Sequence, residues 1–234
     1  MKVIILAGGL GTRLRPLTFS IPKPLLPVGE KPILEIIISK LRSYSLKDLI
    51  ISVGYKSELI KTYFGDGSKF GVNIKYSEEE KRLGTAGPLS LIKERFNIRG
   101  PLLVMNGDVL TNLNFKKMIN FHKRNNADLT VGVKKYEFKS PFGIIEFEGN
   151  EIKKIREKPK FKFVISTGIY IINSPLLNVI PRNKYYDMPE LIKKLIGEGK
   201  KVLSYLFNEY WLAIDHIDDF NEALEDKKKW DRKN

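Results

Sequence analysis

Three glycines and three basic residues near the start of the chain have the types and spacing of an anion-binding turn. They are Gly8, Gly9, Gly11, Arg13, Arg15 and Lys23. Glycine adopts positive φ angles without steric cost, so the backbone amides of such a turn can close around a bulky anion. The arginines and the lysine add fixed positive charge at its rim. The simplest ligand for this turn is a nucleoside triphosphate.

The turn matches neither of two common phosphate-binding motifs. A P-loop requires a lysine and then serine or threonine after its last glycine, whereas Gly11 is followed by Thr12 and Arg13. A dinucleotide-binding turn requires a third glycine that opens a helix, but Leu14 stands at that position and Pro16 follows it closely. From the glycines alone, a tight turn between a strand and a helix, with solvated arginines, stays an alternative.

A carboxylate follows an apolar strand in the segment Asn106-Gly107-Asp108. Mg²⁺ prefers oxygen ligands, usually one or two carboxylates together with phosphate oxygens and water. Asp108 is therefore a candidate magnesium ligand beside a bound phosphate. The alternative is a turn aspartate that accepts hydrogen bonds from its own backbone.

Apolar periodicity alternates between strand-like and helix-like segments in the first half of the chain. The predicted strands are Lys2–Leu6, Leu49–Val53, Val72–Tyr76, Leu102–Asn106 and Asp128–Val133. The predicted helices are Ile33–Tyr44, Ser57–Phe64, Leu89–Phe96 and Phe115–Asn125. This order predicts an α/β fold with a doubly wound, mostly parallel sheet. Ligands bind at the carboxyl ends of the strands in such sheets, so we expect Gly8 and Asp108 at the same edge.

The second half of the chain does not continue this alternation of strands and helices. Its predicted elements are a β-hairpin of Gly143–Phe147 and Ile152–Arg156, an extended stretch Phe161–Asn173, and the helices Met188–Gly197 and Ile217–Glu225. Asp187 directly precedes the first of these helices and is interpreted as its N-cap. No linker rich in proline, glycine or serine separates the halves, which favours a single domain over residues 1–234.

The composition is that of a globular protein with a strong excess of basic residues. The formal net charge is +14, but the lysines are dispersed, and their dense run Lys227–Lys233 lies in the tail 227–234. A solvated surface is therefore favoured over binding to nucleic acid. The absence of cysteine excludes disulfides and fits a cytoplasmic protein. No apolar run reaches the roughly 18 residues of a membrane span, so we expect no membrane partner.

Taken together, these motifs resemble the signature of the sugar-1-phosphate nucleotidylyltransferases, the NDP-sugar pyrophosphorylases. The blocks that carry the resemblance are Gly8–Thr18, Pro22–Pro24, Gly29–Ile33, Leu83–Leu89, Met105–Asp108, Glu157–Pro159, Thr167–Tyr170 and Glu209–Leu212. The chain looks most like the glucosamine-1-phosphate and mannose-1-phosphate guanylyltransferases. The resemblance implies a Rossmann-like nucleotidyltransferase fold. Residues 1–135 would form the nucleotide-binding half, and residues 136–226 a sugar-phosphate-binding half with a sugar-facing β-hairpin.

The resemblance also implies roles for individual residues. Catalysis is assigned to Arg13, Lys23 and Asp108. Nucleotide binding is assigned to Leu6, Ala7, Gly8, Gly9, Gly11, Thr12, Glu79, Glu80, Gly84 and Thr85. Sugar-phosphate binding is assigned to Asn106, Gly107, Glu157, Lys158, Thr167 and Gly168. The implied partners are a nucleoside triphosphate, a sugar 1-phosphate and Mg²⁺. The oligomeric state stays open, a homo-oligomer included.

The base of the nucleotide is predicted from Glu79 and Glu80, which precede the Leu83-Gly84 block. Family members that use uridine or thymidine nucleotides tend to carry a glutamine in this region. A carboxylate only accepts hydrogen bonds, which suits the N–H donors of guanine. GTP is therefore the predicted nucleotide, with UTP or dTTP as the alternative. The alternative is that these glutamates belong to a solvated acidic loop and do not contact the nucleotide.

One position departs from the family pattern. The segment Trp211-Leu-Ala-Ile-Asp215 stands where the family carries an aspartate, its second metal ligand, directly after Trp-Leu. Ala213 cannot bind a metal. Asp215 is the candidate replacement ligand if the loop is shifted, but on a strand it would lie roughly 7 Å further along. Two interpretations follow. The chain transfers a nucleotidyl group from GTP to a hexose 1-phosphate, or it is a weak or inactive homologue that binds sugar nucleotides as a regulatory subunit.

Overall fold

The computed structural model describes residues 1–230 of the chain, so the end of the predicted basic tail, residues 231–234, lies outside the described residues. The strands are β1 (Lys2–Ala7), β2 (Pro27–Val28), β3 (Lys31–Pro32), β4 (Asp48–Val53), β5 (Asn73–Glu78), β6 (Pro101–Asn106), β7 (Val109–Thr111), β8 (Leu129–Lys139), β9 (Ile144–Glu148), β10 (Glu151–Arg156), β11 (Lys160–Asn173), β12 (Val202–Leu206) and β13 (Trp211–Ala213). The helices are α1 (Ile33–Ser43), α2 (Ser57–Phe64), α3 (Pro88–Arg95), α4 (Phe115–Arg124), α5 (Met188–Gly197), α6 (Ile217–Glu225) and α7 (Lys227–Trp230).

A seven-stranded sheet lies at the centre of the fold, with its strands in the order β12-β8-β11-β6-β1-β4-β5. Strand β1 pairs in parallel with β4 and β6, β4 with β5, and β12 with β8. Within this sheet β11 runs antiparallel to both of its neighbours, β6 and β8. The predicted mostly parallel α/β sheet is confirmed, with one reversed strand that the sequence pattern did not indicate.

Both faces of the sheet are covered because its central strands are apolar on both sides. In β1, Val3 and Ile5 belong to one cluster of buried side chains and Ile4 belongs to a second cluster. Successive residues of a strand point to opposite faces, so a strand buried on both sides must be apolar throughout. Helix α1 contributes Ile37 to the first cluster, and α5 contributes Leu191 to the second. This packing leaves the ends of the strands as the place for a polar site.

The bounds of most elements agree closely with the sequence pattern. Helices α2, α5 and α6 begin and end at the predicted residues. Strand β8 is the main difference, because it continues past Val133 to Lys139 and pairs there with Lys160 of β11. Residues 135–139 are exposed, so no burial pattern marks this part of the strand. The predicted hairpin is present as β9 and β10, between the extended ends of β8 and β11.

Five short strands escaped prediction, and two of them, β2 and β3, have only two residues each. Strand β12 lies at an edge of the sheet and is only partly buried, so its apolar pattern is weak. Strands β7 and β13 form a separate antiparallel pair with Ala213 opposite Val109. Each has three residues, too few to show a period. Within residues 1–230, no helix is long and apolar enough to cross a lipid bilayer.

Candidate active site

The carboxyl ends of β1 and β6 meet at one edge of the sheet and open into a cleft of about 400 Å³. Three backbone segments line it, residues 6–13, 82–85 and 106–108. Gly8 and Asp108 therefore share one edge, as the strand order predicted. A second cavity of similar volume lies between α1 and β7. Its lining contains no carboxylate, whereas the first cleft is lined by both carboxylates and basic side chains.

The glycine turn leaves β1 and is held in place by the short helical turns that follow it. The hydroxyl of Thr18 donates a hydrogen bond of 2.8 Å to the carbonyl of Gly11. Arg13 lines the cleft with an exposed side chain. Arg15 lies outside the lining, where its guanidinium is 5.0 Å from the centre of the Phe19 ring. Of the three cations predicted at the rim, Arg13 and Lys23 line the cleft, whereas Arg15 stacks on Phe19 outside it.

The most strongly charged feature of the cleft is Lys23 between two carboxylates. Its ammonium lies 2.5 Å from Asp108 Oδ2 and 3.0 Å from Asp215 Oδ1, and only 12% of its side chain is exposed. Burial alone would lower the pKa of Lys23, but the two carboxylates outweigh burial and raise it. Burial would likewise raise the pKa of Asp215, but Lys23 and Arg13 lower it. The lysine therefore stays charged, as a cation fixed between two anions.

Asp215 reaches this cluster by a route that strand geometry did not predict. Strand β13 ends at Ala213, so Asp215 does not continue the strand. The amide of Ile214 donates a hydrogen bond of 3.0 Å to the carbonyl of Asp108, which fixes this turn against the end of β6. The Asp215 carboxylate therefore accepts a hydrogen bond from Lys23, instead of lying farther along an extended chain. The second carboxylate that the sequence placed in doubt is present at the cluster.

The donor set of this cluster fits a magnesium ion. Asp108 Oδ1 is buried and has no hydrogen-bond partner among the described residues, while Oδ2 pairs with Lys23. A buried carboxylate oxygen without a partner is costly, and Mg²⁺ takes such oxygens as ligands. In the described part of the chain no group of three or more acidic, histidine or cysteine side chains is placed to hold a metal. One or two carboxylates completed by phosphate oxygens and water are the usual protein ligands of Mg²⁺.

The two glutamates predicted to read the base lie in different surroundings. Glu79 lines the cleft, and its Oε1 accepts a hydrogen bond of 2.9 Å from the hydroxyl of Ser52. Burial raises the pKa of Glu79, although the Ser52 hydroxyl and the Leu83 amide act in the opposite direction. Glu80 is exposed and lies outside the cleft lining. Of the two, Glu79 has the position to meet a ligand.

The residues predicted to bind the sugar phosphate are not all at the cleft. Asn106 and Gly107 line it, and a Cβ built on Gly168 would lie 2.6 Å from Asn106 Nδ2, so Gly168 packs directly on this wall. Thr167 is buried, and its hydroxyl donates to the carbonyl of Gly132. The other two predicted residues, Glu157 and Lys158, have mostly exposed side chains and lie outside the lining.

Several residues at the cleft were not assigned a binding or catalytic role from the sequence. They are Leu10, Pro24, Arg82, Leu83, Tyr185 and Asp187. Arg82 and Leu83 adjoin the predicted Gly84-Thr85 pair, so their proximity to that motif was a usable signal. Tyr185 and Asp187 are about a hundred positions away in sequence, and no periodicity connects them to the cleft. Asp187 is the N-cap of α5, as interpreted from the sequence.

Comparison with known proteins places this cleft in a family context. The family model described as nucleotidyl transferase matches residues 2–229. A mannose-1-phosphate guanyltransferase of Yarrowia lipolytica is 37% identical over 227 residues, which are 94% of this chain and 62% of that protein. A UTP–glucose-1-phosphate uridylyltransferase of Synechocystis is 33% identical, over 96% of this chain and 62% of that protein. The chain thus spans less than two thirds of the length of these relatives.

A solved structure shows the same architecture at lower sequence similarity. The crystal structure of HddC from Yersinia pseudotuberculosis, complexed with GMP-PN, has a TM-score of 0.76 with this fold at 23% identity. The match covers 96% of this chain and 98% of that one. At this identity the likeness establishes the shared fold.

Proposed function

The chain belongs to the nucleotidyl transferase family, and we propose that it transfers a nucleotidyl group from GTP to a hexose 1-phosphate. The products would be a nucleoside-diphosphate sugar and pyrophosphate. The observation that carries the proposal is Lys23, held between Asp108 and Asp215 in the cleft of the glycine turn. Fixed cations and carboxylates at the mouth of a glycine turn suit a triphosphate and its metal.

The reaction needs no nucleophile from the protein, because the substrate supplies one. A phosphate oxygen of the sugar 1-phosphate attacks the α-phosphorus of the nucleotide in line and forms a new P–O bond. The bond from the α-phosphorus to the bridging oxygen breaks on the opposite side, and pyrophosphate leaves with that oxygen. The protein therefore contributes positioning and charge stabilisation. We assign these tasks to the glycine turn, to Arg13 and to Lys23.

Asp108 and Asp215 are the residues that would hold Mg²⁺. A bound magnesium ion would neutralise phosphate charge and orient the phosphate oxygens. The ammonium of Lys23 is ion-paired with both of these carboxylates in this structure. If the carboxylates held the metal, a phosphate oxygen of the nucleotide could take their place as the acceptor for Lys23. Despite burial, the carboxylates raise the pKa of Lys23, and a phosphate anion in their place would favour the charged ammonium in the same way.

Guanine is proposed as the base because Glu79 lies at the cleft with a carboxylate that only accepts hydrogen bonds. The similarity to a mannose-1-phosphate guanyltransferase supports the same base and a mannose-type sugar, with glucosamine 1-phosphate as the other candidate. The similarity to a uridylyltransferase keeps UTP as a competitor. The division into a nucleotide-binding half, residues 1–135, and a sugar-phosphate-binding half, residues 136–226, is part of this proposal.

The test is pyrophosphate release with GTP, UTP, dTTP, ATP and CTP, each paired with mannose, glucosamine and glucose 1-phosphates. We expect release with GTP and Mg²⁺ and little release with the other four nucleotides. Release with UTP or dTTP alone would overturn the assignment of the base and leave the reaction class standing. No release with any pair, together with nucleotide binding by calorimetry, would support the alternative of an inactive sugar-nucleotide-binding homologue.

A further inference from the structure

Two loops that are far apart in sequence are bonded together at the wall of the cleft. We define the base loop as residues 83–87 and the clamp segment as residues 184–188. The amides of Ala86 and Gly87 both donate to the carbonyl of Tyr186 at 2.9 Å, and the amide of Tyr186 donates to the carbonyl of Leu83 at 2.9 Å. The base loop contributes Leu83, Gly84 and Thr85 to the cleft lining. Its shape therefore depends on the clamp segment.

One carboxylate in the clamp segment adds side-chain bonds to this backbone frame. Asp187 Oδ1 accepts hydrogen bonds from the Thr85 amide at 2.9 Å and from the Thr85 hydroxyl at 3.1 Å. Asp187 Oδ2 accepts from the hydroxyl of Tyr185 at 2.7 Å. The hydroxyl of Thr85 also accepts from the amide of Met188 at 2.8 Å, in the first turn of α5. Thr85 is thus fastened to the start of α5 at three points.

The base loop and Asp187 are fitted closely to each other. Gly84 has a φ of +77°, and a Cβ on it would lie 2.6 Å from Asp187 Oδ1 and 2.7 Å from the Tyr186 carbonyl. Only glycine tolerates both the backbone conformation and the lack of space. Burial would raise the pKa of Asp187, but its bonds to Tyr185 and Thr85 lower it, so the carboxylate stays charged. Charged acceptors form the stronger class of hydrogen bond.

We infer that Asp187 is a positioning residue: its carboxylate, carried by the sugar-phosphate-binding half, holds Gly84 and Thr85 in the conformation that closes the cleft beside the nucleotide. The inference rests on the proposed function for its consequence, since the base loop matters only if a nucleotide lies against it. Asp187 acts through Thr85 and not by contact with the reacting atoms. The helix cap that the sequence indicated is then only part of its role.

The test uses trypsin, because Arg82 is exposed while the next residue, Leu83, is buried. Cleavage after Arg82 requires release of the base loop, and mass spectrometry can follow the fragment that ends there. Loss of hydrogen bonds to a charged acceptor should speed this cleavage by about tenfold or more in Asp187→Ala. Asp187→Asn keeps an acceptor oxygen for Thr85 and should restore most of the protection.

Glu190→Ala is the matched control. The Glu190 carboxylate accepts a hydrogen bond from the Asp187 amide at 3.0 Å, so this variant weakens the cap of α5 without removing a bond to Thr85. We expect its cleavage after Arg82 to stay near that of the wild type. Equal cleavage in Asp187→Ala and the wild type would overturn the inference. So would an equal increase in Glu190→Ala, or an increase at every exposed lysine and arginine in Asp187→Ala.

Kinetics supply a second readout that a purely structural role would not produce. Asp187→Ala should raise KM for the nucleotide by about tenfold and change kcat much less, because it disorders a binding wall and spares the charged cluster. An equal fall in kcat and kcat/KM would contradict the positioning role. If the wild type shows no turnover and no nucleotide slows its cleavage after Arg82, the proposed function fails. The ratio of cleavage between variant and wild type still decides the role of Asp187.

Discussion

Replacing Asp215 with asparagine tests whether the proposed magnesium site of the cleft depends on two carboxylates or on one. Asp215 Oδ1 lies 3.0 Å from Lys23 Nζ, and Oδ2 lies 3.4 Å from a guanidinium nitrogen of Arg13. Asparagine keeps the size of the side chain and one oxygen, so the change removes the charge and little else. We expect Asp215→Asn to slow nucleotidyl transfer strongly while the fold stays intact.

The expected loss of stability in Asp215→Asn is much smaller than the expected loss of reaction rate, so the two can be told apart. The Asp215 side chain is 45% exposed, so solvent screens its ion pairs and their loss should cost about 1 kcal/mol of unfolding free energy. In a chain of this length that lowers Tm by about 2–4 °C. The rate should fall by on the order of 10²–10³, about 3–4 kcal/mol of transition-state stabilisation, by analogy with other lost charge contacts. A protein with about 5–15 kcal/mol of stability remains folded after the smaller loss.

The assay is pyrophosphate release from GTP and mannose 1-phosphate at varied Mg²⁺ concentration, alongside thermal melts. The Mg²⁺ concentration for half-maximal rate should rise in Asp215→Asn, because the ion loses one of two carboxylates. Asp218→Asn is the control, since Asp218 is exposed and lies outside the cleft lining. A variant rate within about threefold of the wild type, with the same Mg²⁺ requirement, would refute the reasoning. Asp108 would then be the carboxylate on which the metal depends.

Three further substitutions give separate tests. Glu79→Gln should weaken GTP binding, measured by calorimetry. It should also raise Tm at neutral pH. The pKa of Glu79 is raised in the folded protein, so the wild type loses stability as pH rises from 4.5 through that pKa, and glutamine, which does not titrate, removes this loss. Ala213→Asp should leave pyrophosphate release unchanged or lower, because Asp215 already lies on Lys23; a rise of about tenfold would contradict that role. Burial lowers the pKa of His122, so the wild type loses stability as pH falls below 6.5. In His122→Gln we therefore expect Tm to fall less steeply on acidification. Equal slopes of Tm against pH in the variant and the wild type would count against this.

The side of the cleft formed by β1, β6 and the glycine turn could be predicted from the sequence because its parts are local. Each of the strands β1 and β6 is a short apolar run, and each ends directly before a polar motif. The rule that parallel strands present their carboxyl ends at one edge then brings Gly8 and Asp108 together without any further information. Lys23 follows Gly11 by twelve positions and is connected to the glycine turn by short helical turns. The position of these residues at the cleft therefore follows mostly from local sequence and from the direction of the strands.

The remainder of the cleft depends on long-range pairing that no local pattern encodes. Asp187 contacts Thr85 only because the start of α5 packs against the base loop, a relation between residues 102 positions apart. The reversed direction of β11 is equally invisible to periodicity, since strands of either direction alternate in the same way. Glu157 and Lys158 follow β10, whose residues are exposed, so no core fixes their position relative to the cleft. These two assignments therefore stay predictions from the resemblance.

The departure at Ala213 shows how a motif can change while its charge is kept. The backbone at Ile214 is fixed to Asp108, so an acidic side chain that follows closely must lie near the cluster. The carboxylate of Asp219, in the first turn of α6, accepts hydrogen bonds from the amides of Asp215 and His216 at 2.9 and 2.6 Å. These bonds hold the chain in a turn directly after β13, and the turn carries the Asp215 carboxylate to Lys23. The second carboxylate is thus supplied by the turn between β13 and α6 and not by the strand. Its position depends on Asp219, which no motif at residues 211–215 contains.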